Sequence, residues 1–584
     1  MKAVWVELLF GASSALLLTA ILLAAGERVR RLLRMPCPPS LRPALTWGLG
    51  SWSVGMVVLL LGLLGLLEPA PLLAVAAVAA ALGRWSGLLA SAKKGLWFAL
   101  CGFPLIVVAL APPFFYDAWV YHLGLPWQAL QDGAIRAHPG NLFSTFPPMA
   151  QLIYMLPLAV GAVRAPALIH LLGYCTASVT AQGLANRLGA SRAPAFLAGL
   201  CVLYLPVAPL IAGFPAAEAW TVSGVLASVA LALTARAGPK SGLAAGWMVG
   251  VAAAARIQGL SWVVMFAPLV AARRRRPGAS LAAFAMAAAI GAAPWWLKNA
   301  LLLHDPFAPL GWHGEGIGTL WRDANSNLHL ASNVSDLARR ALASLLERAW
   351  LLVPLLAAAL LATVIRKRLP LLLLVAAASA GVLAWSLTGA LPRFLVPALA
   401  LLLTAAVSGR WRMGVLGSLG AIGLTLVTGL AAALGMFRQL GGFSVVGPPS
   451  VVYPALVVSD PYPGFLACAG LPEGARVLLV AEPRGFLFPR RFETSSQHDR
   501  SALATLLRTQ ASPEAIRVLL VRMGFTHLLV HVAEIRRLGR DYPVAPWTDP
   551  GSRSAFVALT RQLEPPVVLS GEMVVYALNA KSAE

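Results

Sequence analysis

Residues 95–122 of the chain have the sequence GLWFALCGFPLIVVALAPPFFYDAWVYH. The segment begins with an apolar run long enough to cross a hydrocarbon core of ~30 Å, which takes about 20 residues in a helix. Two prolines, several aromatic residues and one carboxylate, Asp117, follow the run directly. The segment therefore predicts a membrane-spanning helix that leads into a polar loop at the membrane surface.

Similar apolar runs recur along most of the chain. Of its 584 residues, 59% are hydrophobic and 12% are charged, against about 25% charged residues in a soluble domain. This composition excludes a soluble protein and predicts about fourteen membrane helices. The predicted spans cover residues 3–25, 44–67, 70–83, 95–112, 164–186, 193–212, 219–236, 241–256, 257–272, 279–297, 349–364, 369–389, 393–409 and 413–435. The pair at 241–272 could also form one tilted helix.

The basic residues predict which side of the membrane each loop occupies. Residues 1–440 carry a net charge of +21 and residues 441–584 a net charge of only +2, so the excess belongs to membrane loops and not to a nucleic-acid surface. Lys and Arg are enriched on the cytoplasmic side. Alternating loops carry the clusters: Arg28–Arg34, Arg84 with Lys93 and Lys94, Arg187 with Arg192, Arg236 with Lys240, Arg273–Arg276, Arg366–Arg368, and Arg410 with Arg412. Both chain termini and nearly all acidic residues are then predicted outside, with Glu27 as the exception.

We predict an all-α polytopic membrane domain with a C-terminal extracytoplasmic α/β domain. Residues 1–94 would be additional N-terminal helices, and residues 95–440 the main membrane domain with outer loops at 113–163 and 298–348. Residues 441–584 have ordinary composition and alternate apolar runs, such as Val477–Ala481, with helical patterns.

Asp117 is the leading catalytic candidate. It follows the apolar span by a few residues and lies among aromatic side chains. A carboxylate beside a low-dielectric surface suits a general base that deprotonates a hydroxyl group. Alternatively, Asp117 caps the helix that follows, and the aromatic residues form an interfacial belt.

Several segments resemble the C-type (GT-C) membrane glycosyltransferases, in particular bacterial proteins similar to dolichyl-phosphate-mannose protein mannosyltransferases. The run DAWVYH at Asp117–His122 resembles their first-loop signature. APWWLKNALLLHDPFAPL at Ala293–Leu310 and LPRFLVPALALL at Leu391–Leu402 resemble two later motifs, although His304-Asp305 replaces the usual Gly-Asn. MGFTHLLVHVAEIRRL at Met523–Leu538 resembles the outer domain of these proteins.

The resemblance implies an inverting glycosyltransferase that moves a sugar from a polyprenyl-phosphate donor to an envelope acceptor. Such an enzyme would lie in the bacterial inner membrane and act on its extracytoplasmic face, with Asp117 as the base. His122 would bind the donor phosphate or orient Asp117, although a polar residue at headgroup level is an equal alternative. Glu218 would face the catalytic carboxylate or bind the acceptor, with helix capping as its alternative role.

Three cations at outer helix ends are candidates for binding the donor phosphate: Arg256, Lys298 and Arg393. A phosphate leaving group needs fixed positive charge, and the arginine fork can bind two oxygens at once. Their alternative role is to extend toward lipid headgroups without binding a substrate.

The sequence predicts no certain cofactor. Asp117 is followed by Ala118 and Trp119, so the D-x-D pair of metal-dependent relatives is missing, and a divalent metal stays an open question. The five cysteines have no metal-ligand spacing, and no phosphate-binding glycine loop precedes a helix. The alternative function is a polytopic transporter or lipid flippase, which would be expected to carry ionisable residues within its spans and two related halves.

Overall fold

The computed structural model describes residues 2–86, 88–138, 140–205, 207–234, 238–272, 277–310, 332–348, 352–366, 368–387, 391–408, 414–509 and 512–579. The predicted basic clusters at Arg273–Arg276 and at Arg410 with Arg412 lie outside these residues, as does a large part of the predicted outer loop at 298–348.

The described chain is mostly helical as far as residue 468. Its α-helices there are Lys2–Leu32, Arg42–Leu63, Pro69–Leu82, Leu88–Cys101, Phe103–Ala109, Gly124–Asp132, Met149–Ala159, Ala165–Arg187, Arg192–Tyr204, Ala208–Ala212, Glu218–Thr234, Pro239–Ala255, Gly259–Ala272, Pro277–Gly291, Ala293–Leu303, Val334–Arg348, Leu352–Arg366, Leu369–Leu387, Val396–Val407, Gly414–Gln439, Pro449–Leu456 and Tyr462–Cys468. Each of the fourteen predicted spans coincides with one of these helices or with two in succession.

Four described helices each contain a segment long and apolar enough to cross a membrane by itself. The segments are Val4–Leu32, Arg42–Leu63, Leu369–Leu387 and Ile422–Gln439. A fifth span is available if the helices Pro277–Gly291 and Ala293–Leu303, which meet at 55°, act together. Several other apolar helices are shorter than this criterion requires. The chain is a multi-pass membrane protein, while the count of fourteen crossings stays a prediction.

The predicted pair at residues 241–272 is two helices. The helix Pro239–Ala255 ends at Arg256, whose backbone is extended with φ −151° and ψ 142°. The next helix begins at Gly259. The helix is thus interrupted at residues 256–258, and the Arg256 side chain at this break lines the functional site described below.

Glycine allows the first two helices to pack in close contact. A Cβ atom built on Gly26 would lie 1.8 Å from the Thr46 carbonyl oxygen, and one on Gly50 would lie 1.8 Å from the Leu22 carbonyl oxygen. Small residues of this kind permit close approach of membrane helices, where packing and not water exclusion drives association. Beyond this contact, Glu27 forms ion pairs with Arg30, Arg31 and Arg42.

Residues after 468 contain a five-stranded mixed sheet with strand order β2-β1-β3-β5-β4. The strands are β1 (Arg476–Val480), β2 (Arg491–Thr494), β3 (His527–His531), β4 (Val568–Ser570) and β5 (Met573–Ala577). β1 runs parallel to β2 and β3, whereas β5 is antiparallel to β3 and β4. The accompanying helices are Ala502–Thr509, Pro513–Arg522, Val532–Leu538 and Pro550–Gln562.

Both faces of this sheet are buried at its inner strands β1 and β3. Side chains alternate along a strand, so Leu478 and Val480 of β1 pack in one apolar cluster with the accompanying helices. Val477 and Leu479, on the opposite face, join the large apolar cluster of the membrane helices, which also includes Trp119. The sheet is therefore packed directly against the segment that carries Asp117.

A group of buried ionic side chains strengthens this contact, and we call it the sheet cluster: Glu482, Arg484, His531 and Glu534. The Arg484 guanidinium donates to Glu482 from Nε and Nη2, both at 2.7 Å, and to the carbonyl oxygens of Val458 and Ser459. Glu534 accepts a hydrogen bond of 3.4 Å from Tyr116, the residue before Asp117. The sheet cluster thus joins the C-terminal region to the predicted catalytic loop.

Candidate functional site

The turn around Asp117 follows from its neighbours. Pro112 and Pro113 come after the helix Phe103–Ala109, and the Trp119 indole N–H donates back to the Pro113 carbonyl oxygen. A π-helical turn, Ala118–His122, follows Asp117. π-Helical turns are rare in proteins, and those that occur are often found at functional sites. The Tyr121 hydroxyl then lies close enough to donate to Asp117 Oδ2 at 3.2 Å.

Arg393, which is 276 residues away in the sequence, contacts Asp117 directly. It lies in a short 3₁₀ turn, Pro392–Leu395, directly before the helix Val396–Val407. Its Nη1 donates to Asp117 Oδ2 at 2.7 Å, and its Nε lies 3.7 Å from Glu218 Oε1. Arg393 therefore lies between Asp117 and Glu218, the two carboxylates predicted from the sequence to form the site.

Glu218 is the first residue of the helix Glu218–Thr234 and is 2% exposed. Its carboxylate accepts hydrogen bonds from Arg256 Nη2 at 2.5 Å and from the backbone N–H of Ala217 at 3.0 Å. His170 fixes the start of the same helix, because its Nε2 accepts from the Ala219 N–H at 3.1 Å. Glu218 thus satisfies a backbone donor at a helix start and also binds an arginine.

These four residues, Asp117, Glu218, Arg256 and Arg393, form a chain of alternating charge that we call the site cluster. The Phe394 ring supports it, with the guanidinium carbons of Arg256 and Arg393 at 4.5 Å and 5.4 Å from the ring centroid. Aromatic faces attract cations at this range. The Phe394 ring therefore contacts both guanidinium groups and holds them on one side of the cavity.

The site cluster opens on a cavity of about 160 Å³. Asp117, His122, Arg256 and Arg393 line it, and Glu218 lines a smaller adjoining cavity with both arginines. Within the described residues, Nε of Arg256 and Nε of Arg393 are buried and donate no hydrogen bond. Buried donors normally make hydrogen bonds, so two guanidinium N–H groups without one beside a cavity mark a place for an acceptor-rich ligand.

His122 lies in the same cavity and is 3% exposed. Its Nε2 atom is buried and, among the described residues, has no hydrogen-bond partner. Its ring centroid lies 4.2 Å from that of Tyr121, the tyrosine that contacts Asp117. The His122 Nε2 atom makes no hydrogen bond to the site cluster, and the ring lines the cavity where a ligand would bind.

Lys298 is placed differently from the other predicted residues. Its ammonium group is buried and donates to the carbonyl oxygens of Ser144 and Phe146. It lines a neighbouring cavity of about 40 Å³, and Gln151 lines both this cavity and the larger one. Trp295 and Asn299 of the same helix donate to the Thr145 carbonyl, so this helix fixes the segment that carries Phe143 and Phe146 into the larger cavity.

Three further residues line the cavity without having been predicted from the sequence: Gln497, His498 and Tyr542. All three come from the C-terminal region that contains the sheet. They had no distinguishing signal, because polar residues in a region of ordinary composition do not stand out as they do beside membrane spans. Phe394, by contrast, was part of the quoted motif around Arg393, and its role follows from its position next to that arginine.

Among the described residues, no three His, Cys, Asp or Glu side chains gather in an arrangement that could hold a metal ion. Between the two carboxylates of the site cluster lies the Arg393 guanidinium.

The chain has the fold of a solved membrane protein, ArnT from Cupriavidus metallidurans. The crystal structure of ArnT bound to undecaprenyl phosphate is similar at a TM-score of 0.52 and 15% identity, over 83% of this chain and 98% of that one. ArnT in the apo state is similar at a TM-score of 0.50 and 15% identity, over 85% of this chain and 99% of that one. Neither a protein-family model nor a curated protein matches the sequence. The predicted GT-C fold is thereby confirmed.

Proposed function

We propose that this protein is a glycosyltransferase that moves a sugar from a polyprenyl-phosphate-linked donor to an envelope acceptor. The observation that carries the proposal is the site cluster itself. Four ionisable residues from four separate parts of the chain meet at two adjoining cavities, and two arginine N–H groups there have no hydrogen-bond partner among the described residues. Phosphate oxygens form strong, charge-assisted hydrogen bonds with such donors.

The proposed reaction uses each member of the cluster. The acceptor hydroxyl attacks the anomeric carbon while the bond from that carbon to the phosphate oxygen breaks, and the lipid phosphate leaves with the bonding electrons. Asp117 takes the hydroxyl proton, and Arg256 and Arg393 stabilise the charge that develops on the phosphate. Attack from the face opposite the leaving group inverts the anomeric configuration. Glu218 holds both arginines in place.

The fold supports this choice of donor. ArnT, which has the same fold, was crystallised with undecaprenyl phosphate bound. The structural match covers 98% of the ArnT chain. In this chain, His122 would contact the phosphate or the sugar from within the cavity. Lys298 stays a candidate for a second contact with the lipid phosphate, acting from the neighbouring cavity.

The experiment that tests the function compares bacterial envelopes by mass analysis of their glycans. Cells that lack the protein are compared with cells that carry the wild-type chain or the Asp117→Asn variant at equal levels. We expect one glycan modification to disappear in the deletion strain, to return with the wild type, and to stay absent with Asp117→Asn. Restoration by the variant would contradict a catalytic role for Asp117, and restoration by every site-cluster variant would favour the transporter alternative.

We also propose that the cavity and the sheet face the extracytoplasmic side of the bacterial inner membrane, with residues 441–584 as a separate domain there. The sequence basis is the distribution of basic residues. Cysteine replacements at the exposed positions Arg28 and Ser554, in a chain with Cys101 replaced, would test it. A membrane-impermeant thiol reagent added to intact cells should label the Ser554→Cys chain and spare the Arg28→Cys chain. Labelling of both to the same extent would overturn the topology.

A further inference from the structure

The cavity beside Asp117 has two chemically different walls. Membrane-domain residues provide the charged wall, which is the site cluster. Gln497, His498 and Tyr542 provide a second wall of an amide, an imidazole and a phenol, with no formal carboxylate or guanidinium group among them. Burial lowers the pKa of His498 to about 4, even though the Asp117 carboxylate favours the protonated ring, so this imidazole is neutral near pH 7.

The neutral wall has hydrogen-bonding capacity that the protein does not use. Gln497 Nε2 lies 3.3 Å from His498 Nε2, a geometry in which the amide donates and the ring proton lies on Nδ1. Gln497 Oε1 is buried and, in the part of the chain that the structure describes, accepts no hydrogen bond. The pair therefore offers a ligand an amide oxygen as acceptor and an imidazole N–H as donor.

Aromatic rings surround these two polar groups. The His498 ring lies 5.2 Å from Tyr542 and 6.0 Å from Phe143, both in edge-to-face geometry. Phe143 stacks on Tyr121 at 4.4 Å, which extends the aromatic surface to Asp117. A surface of aromatic rings with a few neutral donors and acceptors suits a ring that has hydroxyl groups at its edge and C–H bonds on its faces.

The neutral wall is held in place. The backbone N–H of Ser496 donates to the Gly140 carbonyl at 3.2 Å, and the backbone N–H of Leu142 donates to Asp499 Oδ2 at 2.7 Å. The backbone N–H of His498 itself donates to the Ser496 hydroxyl at 3.1 Å. Because these bonds flank Gln497 and His498 on both sides, the loop is fixed to the membrane domain and is preorganised for binding.

We propose that Gln497 and His498, supported by Tyr542, bind the hydroxyl groups of a sugar ring held between the neutral wall and the two arginines, and so determine which sugar is accepted. This inference rests on the proposed function and adds a specificity site in the C-terminal region. The ring belongs either to the lipid-linked donor or to a carbohydrate acceptor. A site built to bind a hydroxyl group discriminates strongly against an analogue that lacks it, because its own polar groups are then left unpaired.

The test measures binding to the purified full-length chain in lipid nanodiscs, with two probes. One probe is undecaprenyl phosphate, and the other is undecaprenyl phosphate linked to a single hexose, with glucose and mannose tried separately. We expect Gln497→Ala and His498→Ala each to weaken binding of the preferred sugar-linked probe by roughly three- to tenfold. Binding of undecaprenyl phosphate itself should change by less than about twofold. Gln562→Ala, which replaces an exposed glutamine that does not line the cavity, is the matched control.

Two results support the inference and two oppose it. Selective loss of sugar-linked donor binding assigns the ring to the donor. Unchanged donor binding with a raised KM for the acceptor, measured with the envelope fraction as acceptor, assigns the ring to the acceptor. If neither quantity changes while Arg393→Ala abolishes binding of undecaprenyl phosphate, the inference is wrong and the proposed function stands. If the wild-type chain binds neither probe, both are wrong.

Discussion

The site cluster and the sheet cluster contain the same kinds of residue in two different states. In each, an arginine lies between two carboxylates: Arg393 between the half-buried Asp117 and the buried Glu218, and Arg484 between the buried Glu482 and Glu534. In the sheet cluster, each of the three guanidinium nitrogens of Arg484 has a partner. In the site cluster, Nε of Arg256 and Nε of Arg393 have no hydrogen-bond partner among the described residues, and a cavity lies beside them.

This difference separates a structural ion cluster from a ligand site better than burial does. Taking charges out of water is costly, and a closed cluster recovers the cost by satisfying its hydrogen bonds internally. An open cluster leaves part of that cost to be recovered by a ligand. We therefore expect substitutions in the sheet cluster to change stability and substitutions in the site cluster to change binding and turnover.

The largest expected effect is on turnover by Asp117→Asn. Removing a general base typically costs ~10²–10⁴ in rate, so single-turnover transfer should fall by that factor while donor binding persists. Glu218→Gln is the matched substitution, because it removes a neighbouring carboxylate that contacts Arg256 but is not the proposed base. Its loss of rate should be clearly smaller. If Glu218→Gln were the more damaging of the two, the assignment of the base would have to be reversed.

In the sheet cluster, Glu482→Gln should destabilise the chain and leave its chemistry intact. The substitution leaves the buried Arg484 without its main partner, and breaking a buried ion pair typically costs about 3–5 kcal/mol. The measurement is thermal unfolding of the full-length chain in detergent, followed by circular dichroism. Glu514→Gln, which breaks an exposed pair with Arg517, should change the unfolding temperature very little. If the two substitutions lowered the unfolding temperature equally, the sheet cluster would contribute no more to stability than an exposed ion pair.

Acid should reduce the contribution of the same cluster. Burial raises the pKa of Glu482, but the Arg484 guanidinium and the His531 imidazole outweigh burial and hold this pKa at about 2, below its usual value of 4.5. A carboxyl group with a lowered folded-state pKa stabilises the fold above its unfolded pKa and loses this contribution as the pH falls toward the folded value. The difference in unfolding temperature between wild type and Glu482→Gln should therefore be full at pH 6 and narrow from about pH 4.5 downward. A constant difference from pH 6 to pH 3 would disagree with this account.

Helix positions could be predicted from the sequence because a membrane helix requires a long apolar run, and each predicted run coincides with described helix. Helix length was harder to predict. The run at 279–297 is bent by 55° between Gly291 and Ala293, and the run at 193–212 is divided into two helices, Arg192–Tyr204 and Ala208–Ala212. Composition records apolarity but not where packing and proline interrupt a helix.

The site shows the same limit in its residues. Asp117, Glu218, Arg256 and Arg393 could be selected because a charged residue at the end of an apolar span is conspicuous, and the structure brings all four together. Lys298 met the same criterion but lines the neighbouring cavity. The sequence could not show this difference, because it does not specify the direction of a side chain on a bent helix. Gln497, His498 and Tyr542 could not be selected, because only the docking of the sheet brings them to the cavity.

The most direct test of the central claim is equilibrium binding of undecaprenyl phosphate to the full-length chain in nanodiscs. Arg393→Ala should weaken this binding roughly 30-fold or more, since losing one partner of a buried charge pair costs about 2–5 kcal/mol. Arg393→Lys should restore it only in part, because an ammonium group lacks the two-pronged guanidinium geometry. Arg553→Ala, which replaces an exposed arginine on the helix Pro550–Gln562, should bind like the wild type. Wild-type affinity for undecaprenyl phosphate in the Arg393→Ala chain would contradict the claim that the site cluster binds the lipid phosphate.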